Sequence, residues 1–122
     1  MQKFQQLIVW QKAHQLVLEI YGVTKRFPLE ERYGLTSQMR RAAVSVPANI
    51  VEGHKRMSKR EFVHFVSIAE GSLEELKYYC WLAKDLEYLS VHLLNRLYGQ
   101  AEEVGRMLHG LKRHLKKELT DG

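Results

Sequence analysis

Between positions 54 and 60 the chain reads His54-Lys55-Arg56-Met57-Ser58-Lys59-Arg60. Lys55, Arg56, Lys59 and Arg60 place four cations within six positions, beside a serine that can open a helix. Ammonium and guanidinium groups neutralise phosphate oxygens, and the free N–H groups of a helix start attract anions. A second cluster, Lys112, Arg113, His114, Lys116 and Lys117, lies near the end of the chain. Both fit a polyanion such as RNA or DNA, with affinity that falls steeply as salt rises. They equally fit cations that complement a helix dipole and keep a protein soluble.

Catalytic chemistry has less support, and neither a metal nor a cofactor is expected. Glu61 and His64 make one Glu-x-x-His pair, half of the carboxylate and histidine set that a di-iron bundle needs. The second half is missing, and His92, His109 and His114 lack metal-ligand spacing. The chain has no glycine-rich phosphate loop and no nucleophile elbow. Cys80 is the single cysteine, so no disulfide closes within the chain, and it reads as a small core residue of a reducing, cytoplasmic protein. The opening run, MQKFQQLIVWQKAH, is too briefly apolar for a signal segment, and no run suits a membrane span. A soluble, unsecreted protein with no membrane partner is expected.

Another polar set falls in RRAAVSVPANIVEG, positions 40–53. Gln38, Arg41, Ser45, Asn49 and Glu52 recur at spacings of three and four, one stripe of a helix. The stripe suits a hydrogen-bonded network that fixes register or a subunit contact, a ligand site, or a solvated face. Pro47 removes an N–H and crowds the carbonyl of Ala43, which predicts a kink or break between Ser45 and Ala48.

The elements that must hold these groups are helices, since apolar residues recur four times at three-four spacing. The first stripe is Trp10, Ala13, Val17, Ile20, Thr24 and Phe27 within a helix over about 6–26; Phe27-Pro28 ends it. Pro28 to Gly34 predicts one further turn. The second helix runs from Leu35, with Leu35, Met39, Ala42, Val46 and Ile50 inward, to an end at Gly53. Ser58 and Glu61 form a capping box for the third, whose stripe is Phe62, Val66, Ala69, Leu73, Leu76, Cys80 and Ala83. Ser90 caps the fourth, with Leu94, Leu97, Ala101, Val104, Leu108, Leu111 and Leu115. Among the glycines inside helices, each costly against alanine, the pair Gly71-Ser72 is the likeliest close contact. Short connections between such helices predict an all-α, antiparallel up-and-down four-helix bundle. That topology sets the loop after Gly53 and the end of the fourth helix at one end, where the two basic clusters coincide. A chain of 122 residues with 45% apolar and 27% charged residues allows one domain, 1–122, and one core. The net charge of +5 permits a nucleic-acid partner without demanding one.

Apolar residues outside the stripes are plentiful: Ile8, Val9, Leu16, Leu18 and Val23, then Val44 and Val51, then Phe65, Ile68, Tyr78, Tyr79 and Trp81. Helices apolar on more than one face predict a homo-oligomer. The three aromatics Tyr78, Tyr79 and Trp81 suit packing better than base stacking.

The runs Gly34-Leu35-Thr36-Ser37-Gln38, Arg40-Arg41-Ala42-Ala43, Ser45-Val46-Pro47-Ala48-Asn49-Ile50-Val51-Glu52-Gly53 and Ala69-Glu70-Gly71-Ser72-Leu73-Glu74-Glu75-Leu76 resemble a known family. With Val9-Trp10-Gln11-Lys12-Ala13 upstream, they are similar to the four-helix-bundle proteins named for intervening sequences of bacterial 23S ribosomal RNA genes. The resemblance implies a ring-like homopentamer with no established enzymatic activity. A distant relative, the accessory protein of diversity-generating retroelements, is a basic pentamer that binds nucleic acid and a reverse transcriptase. A ring needs a head-to-tail contact between two different patches, for which Glu70, Glu74 and Glu75 against Arg40, Arg41 or the basic loop offer a charged rim. Two functions follow from different classes: a nucleic-acid-binding oligomer, or a scaffold that binds another protein.

Overall fold

The computed structural model describes residues 3–121; Met1, Gln2 and Gly122, the ends of the expected 1–122 domain, lie outside them. Four long helices carry the fold: α1 (Ile8–Thr24), α2 (Leu35–Lys55), α3 (Lys59–Asp85) and α4 (Val91–Asp121). A 3-10 turn, Phe4–Gln6, precedes α1, and a second, Leu29–Glu31, begins after Pro28 as the proline-glycine pattern predicts. The described residues contain no strand.

Cross-helix contacts set the direction of each helix. Lys59 Nζ meets Glu118 Oε2 at 2.8 Å and Lys77 Nζ meets Glu102 Oε2 at 2.9 Å, so α4 descends as α3 ascends. Arg96 and Glu19 pair at 2.8 Å, as Lys12 and Glu103 do at 3.5 Å, which makes α1 and α4 antiparallel. Arg40 joins the start of α2 to Thr24 at the end of α1. Each helix packs on its chain neighbours and α4 closes back on α1, so α1 and α3 lie diagonally. This is the up-and-down bundle expected from the stripes.

Local signals end the helices where chemistry requires. The Glu31 carboxylate accepts the Leu35 N–H at 3.1 Å and caps α2, while its other oxygen takes the Tyr88 hydroxyl at 2.9 Å. That bond, with burial behind it, raises the Tyr88 pKa. Ser58 Oγ accepts from the Glu61 N–H at 3.3 Å, and Ser90 Oγ from the Leu93 N–H at 3.0 Å. At the end of α3 the Tyr88 N–H reaches the Ala83 carbonyl and the Glu87 N–H the Lys84 carbonyl. That two-bond closure needs a left-handed residue, and Glu87 supplies it at φ 67°.

The core follows the four stripes with three corrections. Val9 and Leu16, outside the expected stripe, are buried at 7% and 2% exposure, so the core reaches further around α1 than a narrow stripe does. Of the kink or break expected at Pro47, the break does not occur: α2 runs continuously through buried Pro47 to Lys55, because packing on both sides holds a helix that propensity alone would interrupt. Gly53 therefore does not end α2. A Cβ there would stand 2.6 Å from Phe62 Cδ1 and 2.9 Å from Phe65 Cβ, whereas Gly71 faces open space. The close approach of α2 and α3 is at Gly53, not Gly71.

Two ionisable groups sit in or against this core. Burial pushes the Cys80 thiol up to about 12, which removes the thiolate and its reactivity. Lys77 is 8% exposed; burial disfavours its charge, but Glu74 and Glu102, each at 2.9 Å, outweigh it and raise its pKa.

Candidate nucleic-acid interface

The loop after α2 and the last turns of α4 come together as the topology predicts. Gly53 lets α2 approach Phe62 and Phe65, so the chain turns within Arg56 to Ser58 and α3 starts against α2. Arg56 lies 5.0 Å over the Phe65 ring and reaches Glu52 at 3.4 Å. Lys59 then crosses to Glu118, and the hydrogen bond it donates, partly opposed by desolvation, holds the Glu118 pKa below the usual carboxylate range. Lys112 reaches back to Glu70 on α3.

Three of the eight cations singled out are thus tied within the chain: Arg56, Lys59 and Lys112. Lys55, Arg60, Arg113, Lys116 and Lys117 are exposed and have no carboxylate partner among residues 3–120. An open groove of about 410 Å³ is lined by Arg113, His114, Lys116 and Lys117. Met57, fully exposed at 100%, stands between the cations of the loop. Free cations around a shallow groove can track a phosphodiester backbone, and among the described residues lining it the His114 imidazole is present but no tyrosine or tryptophan face to read a base. Tyr78 and Trp81 lie about 30 Å further along α3. Trp81 packs edge-on to Tyr98 under Lys84, and Tyr79 bonds Glu75 at 3.2 Å.

The stripe on α2 divides. Its centre is a hydrogen-bonded knot: Asn49 Nδ2 donates to the Ser45 carbonyl at 2.8 Å and to Ser45 Oγ at 3.0 Å, and Ser45 Oγ meets Ser72 Oγ at 2.7 Å. This pins the register of α2 on α3. Gln38, Arg41 and Glu52 at its ends are exposed, with Glu52 bonded only to Arg56. Of the expected Gly71-Ser72 contact, Ser72 is the residue that meets α2, while Gly71 faces open space. The charged rim also changes, since Glu70 is engaged by Lys112 and Glu74 by Lys77. Among the described residues no three His, Cys, Asp or Glu side chains come close enough to hold a metal ion. No helix among them is long and apolar enough to cross a membrane.

The fold and this end define a class: a small basic up-and-down bundle. The chain belongs to the 23S rRNA-intervening sequence protein family, which it matches over residues 5–110. It is similar to a solved protein of unknown function from the S23 ribosomal protein family of Bacteroides thetaiotaomicron, at 22% identity and a TM-score of 0.80. That alignment covers 86% of this chain and 98% of the other, and it supports the shared fold. No curated protein matches.

Proposed function

We propose that this protein is a non-enzymatic, cytoplasmic homo-oligomer that binds nucleic acid through its basic end. The observation that carries the reading is the meeting of two clusters, separated by half the chain, around the Lys59–Glu118 contact. Five cations there remain without a carboxylate partner among residues 3–120. Oligomerisation is supported by exposed apolar side chains on two diagonal helices: Ile8 and Leu18 at 60% and 51% on α1, and Ile68, Tyr78 and Trp81 at 38%, 61% and 47% on α3. Two unlike patches on opposite sides suit a head-to-tail ring, and the family resemblance implies one of five subunits. A ring would repeat the basic end around its axis and multiply its field.

The test is binding of structured RNA and duplex DNA, followed by anisotropy at rising salt. Binding should weaken along a linear log-log slope. It should fall by about a hundredfold or more when Lys55, Arg56, Lys59 and Arg60 are all replaced by glutamine, since each cation neutralises roughly one phosphate. Absence of binding at low salt, or indifference to the four substitutions, rejects the reading. A scaffold for another protein is the second reading, favoured by the exposed α3 aromatics. Recovery of a protein partner after nuclease treatment, abolished by Trp81→Ala, would establish it. Light scattering that returns a mass near 14 kDa would reject the oligomer.

A further inference from the structure

At the end of the bundle opposite the basic loop, the last turn of α1, Arg32 and Tyr33 just before α2, and the first half of α2 border an open groove of about 630 Å³. Its lining includes Arg32, Arg40 and Arg41, the rings of Tyr21 and Tyr33, and the hydroxyl of Ser37, with no acidic side chain. Of the two carboxylates on the turn, Glu31 has both oxygens engaged, by the Leu35 N–H and the Tyr88 hydroxyl, and Glu30 is exposed and does not line the groove.

The three arginines are in different states. Arg40 is fixed: its Nε donates to Thr24 Oγ1 at 2.9 Å and its guanidinium lies 4.6 Å from the Tyr21 ring centroid. Arg41 is exposed and makes no hydrogen bond or ion pair through its side chain among the described residues. Arg32 likewise has no carboxylate partner there, and its guanidinium lies 5.5 Å from the Tyr33 ring centroid. Tyr33 is 86% exposed, so one aromatic face is open at the rim of a concave cationic surface. A guanidinium matches phosphate oxygens as a two-pronged donor, and an open tyrosine ring stacks on a nucleobase. The volume is of the size that holds a small ligand.

We propose that this groove binds a nucleoside monophosphate, its phosphate held between Arg32 and Arg41 and its base laid on Tyr33. Arg40, committed to Thr24 and Tyr21, forms the rigid wall and adds charge without moving. The site is separate from the basic end and stands whether or not that end binds nucleic acid.

The experiment is isothermal titration of the full-length protein with adenosine and uridine 5′-monophosphates, with adenosine and inorganic phosphate as controls. At least one nucleotide should saturate at one per protomer and bind more tightly than adenosine or phosphate alone. Arg41→Ala and Arg32→Ala should each weaken it about tenfold or more, the size of one missing charge-assisted hydrogen bond. Tyr33→Ala should weaken the nucleotide while leaving inorganic phosphate unchanged. All three side chains are exposed or border solvent, so circular dichroism should show each variant folded. The glutamine variant at Lys55, Arg56, Lys59 and Arg60 should titrate as the parent does. The proposal is overturned if neither nucleotide saturates by millimolar concentration. It is equally overturned if phosphate alone binds as well, or if the basic-end variant weakens binding as much as Arg41→Ala.

Discussion

The two ends of the bundle hold cations in opposite ways. At the α2–α3 end the cations are neighbours in sequence, project from a loop and a helix terminus, and are tempered by Glu52, Glu70 and Glu118. At the α1–α2 end, arginines from a turn and from one helix meet tyrosines from α1 and the turn, and no acidic side chain lines the groove. The first arrangement gives a broad field suited to a repeating backbone. The second gives a concave surface with directional donors and a ring, suited to one small anion. Cation density in a sequence locates a field, while a site with shape needs side chains brought from separate elements.

Both ends stand on one core, and the largest expected effects test that. Ile50 lies beneath the basic end and Met39 beneath the groove, both at 0% exposure. Replacing either with alanine should cost about 2–5 kcal/mol by chemical denaturation, as buried large-to-small changes do. If either variant unfolds in transitions that do not coincide by circular dichroism and tryptophan fluorescence, the two ends do not share one cooperative core.

The next effects separate the ends. Gly53→Ala places a methyl against Phe62 and Phe65, where overpacking costs about 1–3 kcal/mol. It should also loosen the basic end, weakening RNA binding without changing nucleotide titration. At the other end, Glu87→Gly relieves a left-handed residue. Stability should rise by up to about 1 kcal/mol, since αL strain in a non-glycine exceeds the entropy that glycine adds to the unfolded chain.

The smallest effect concerns the acid that tempers the basic end. Glu118 titrates below the usual carboxylate range because Lys59 bonds its charged form. Its contribution to stability is therefore present above the unfolded carboxylate value and disappears as pH falls through the lowered folded value. Glu118→Gln should flatten that part of the acid unfolding curve and, by freeing Lys59, tighten RNA binding a few-fold. Unchanged affinity would mean that Lys59 does not face the nucleic acid.

Much of the fold is legible in residue order alone. Apolar spacing places α1 to α4, Ser58 and Ser90 mark two starts, and Pro28 with Gly34 marks the turn between α1 and α2, because each of these signals acts within a few residues of backbone. The coincidence of the two basic clusters also follows, since helix count and short loops fix which ends meet. What residue order leaves open depends on contacts between residues far apart. Pro47 suggests an interruption that packing overrides, and Gly71 looks like the crossing point that Gly53 provides. The partner of Ser72 is not legible until Ser45 stands 2.7 Å away. The groove of Tyr21, Tyr33, Arg32, Arg40 and Arg41 has no linear signature, because its members come from α1, a turn and α2. Periodicity determined that this chain is a bundle and which of its ends is most basic; only the tertiary structure decided which charges are neutralised and which are left to meet a ligand.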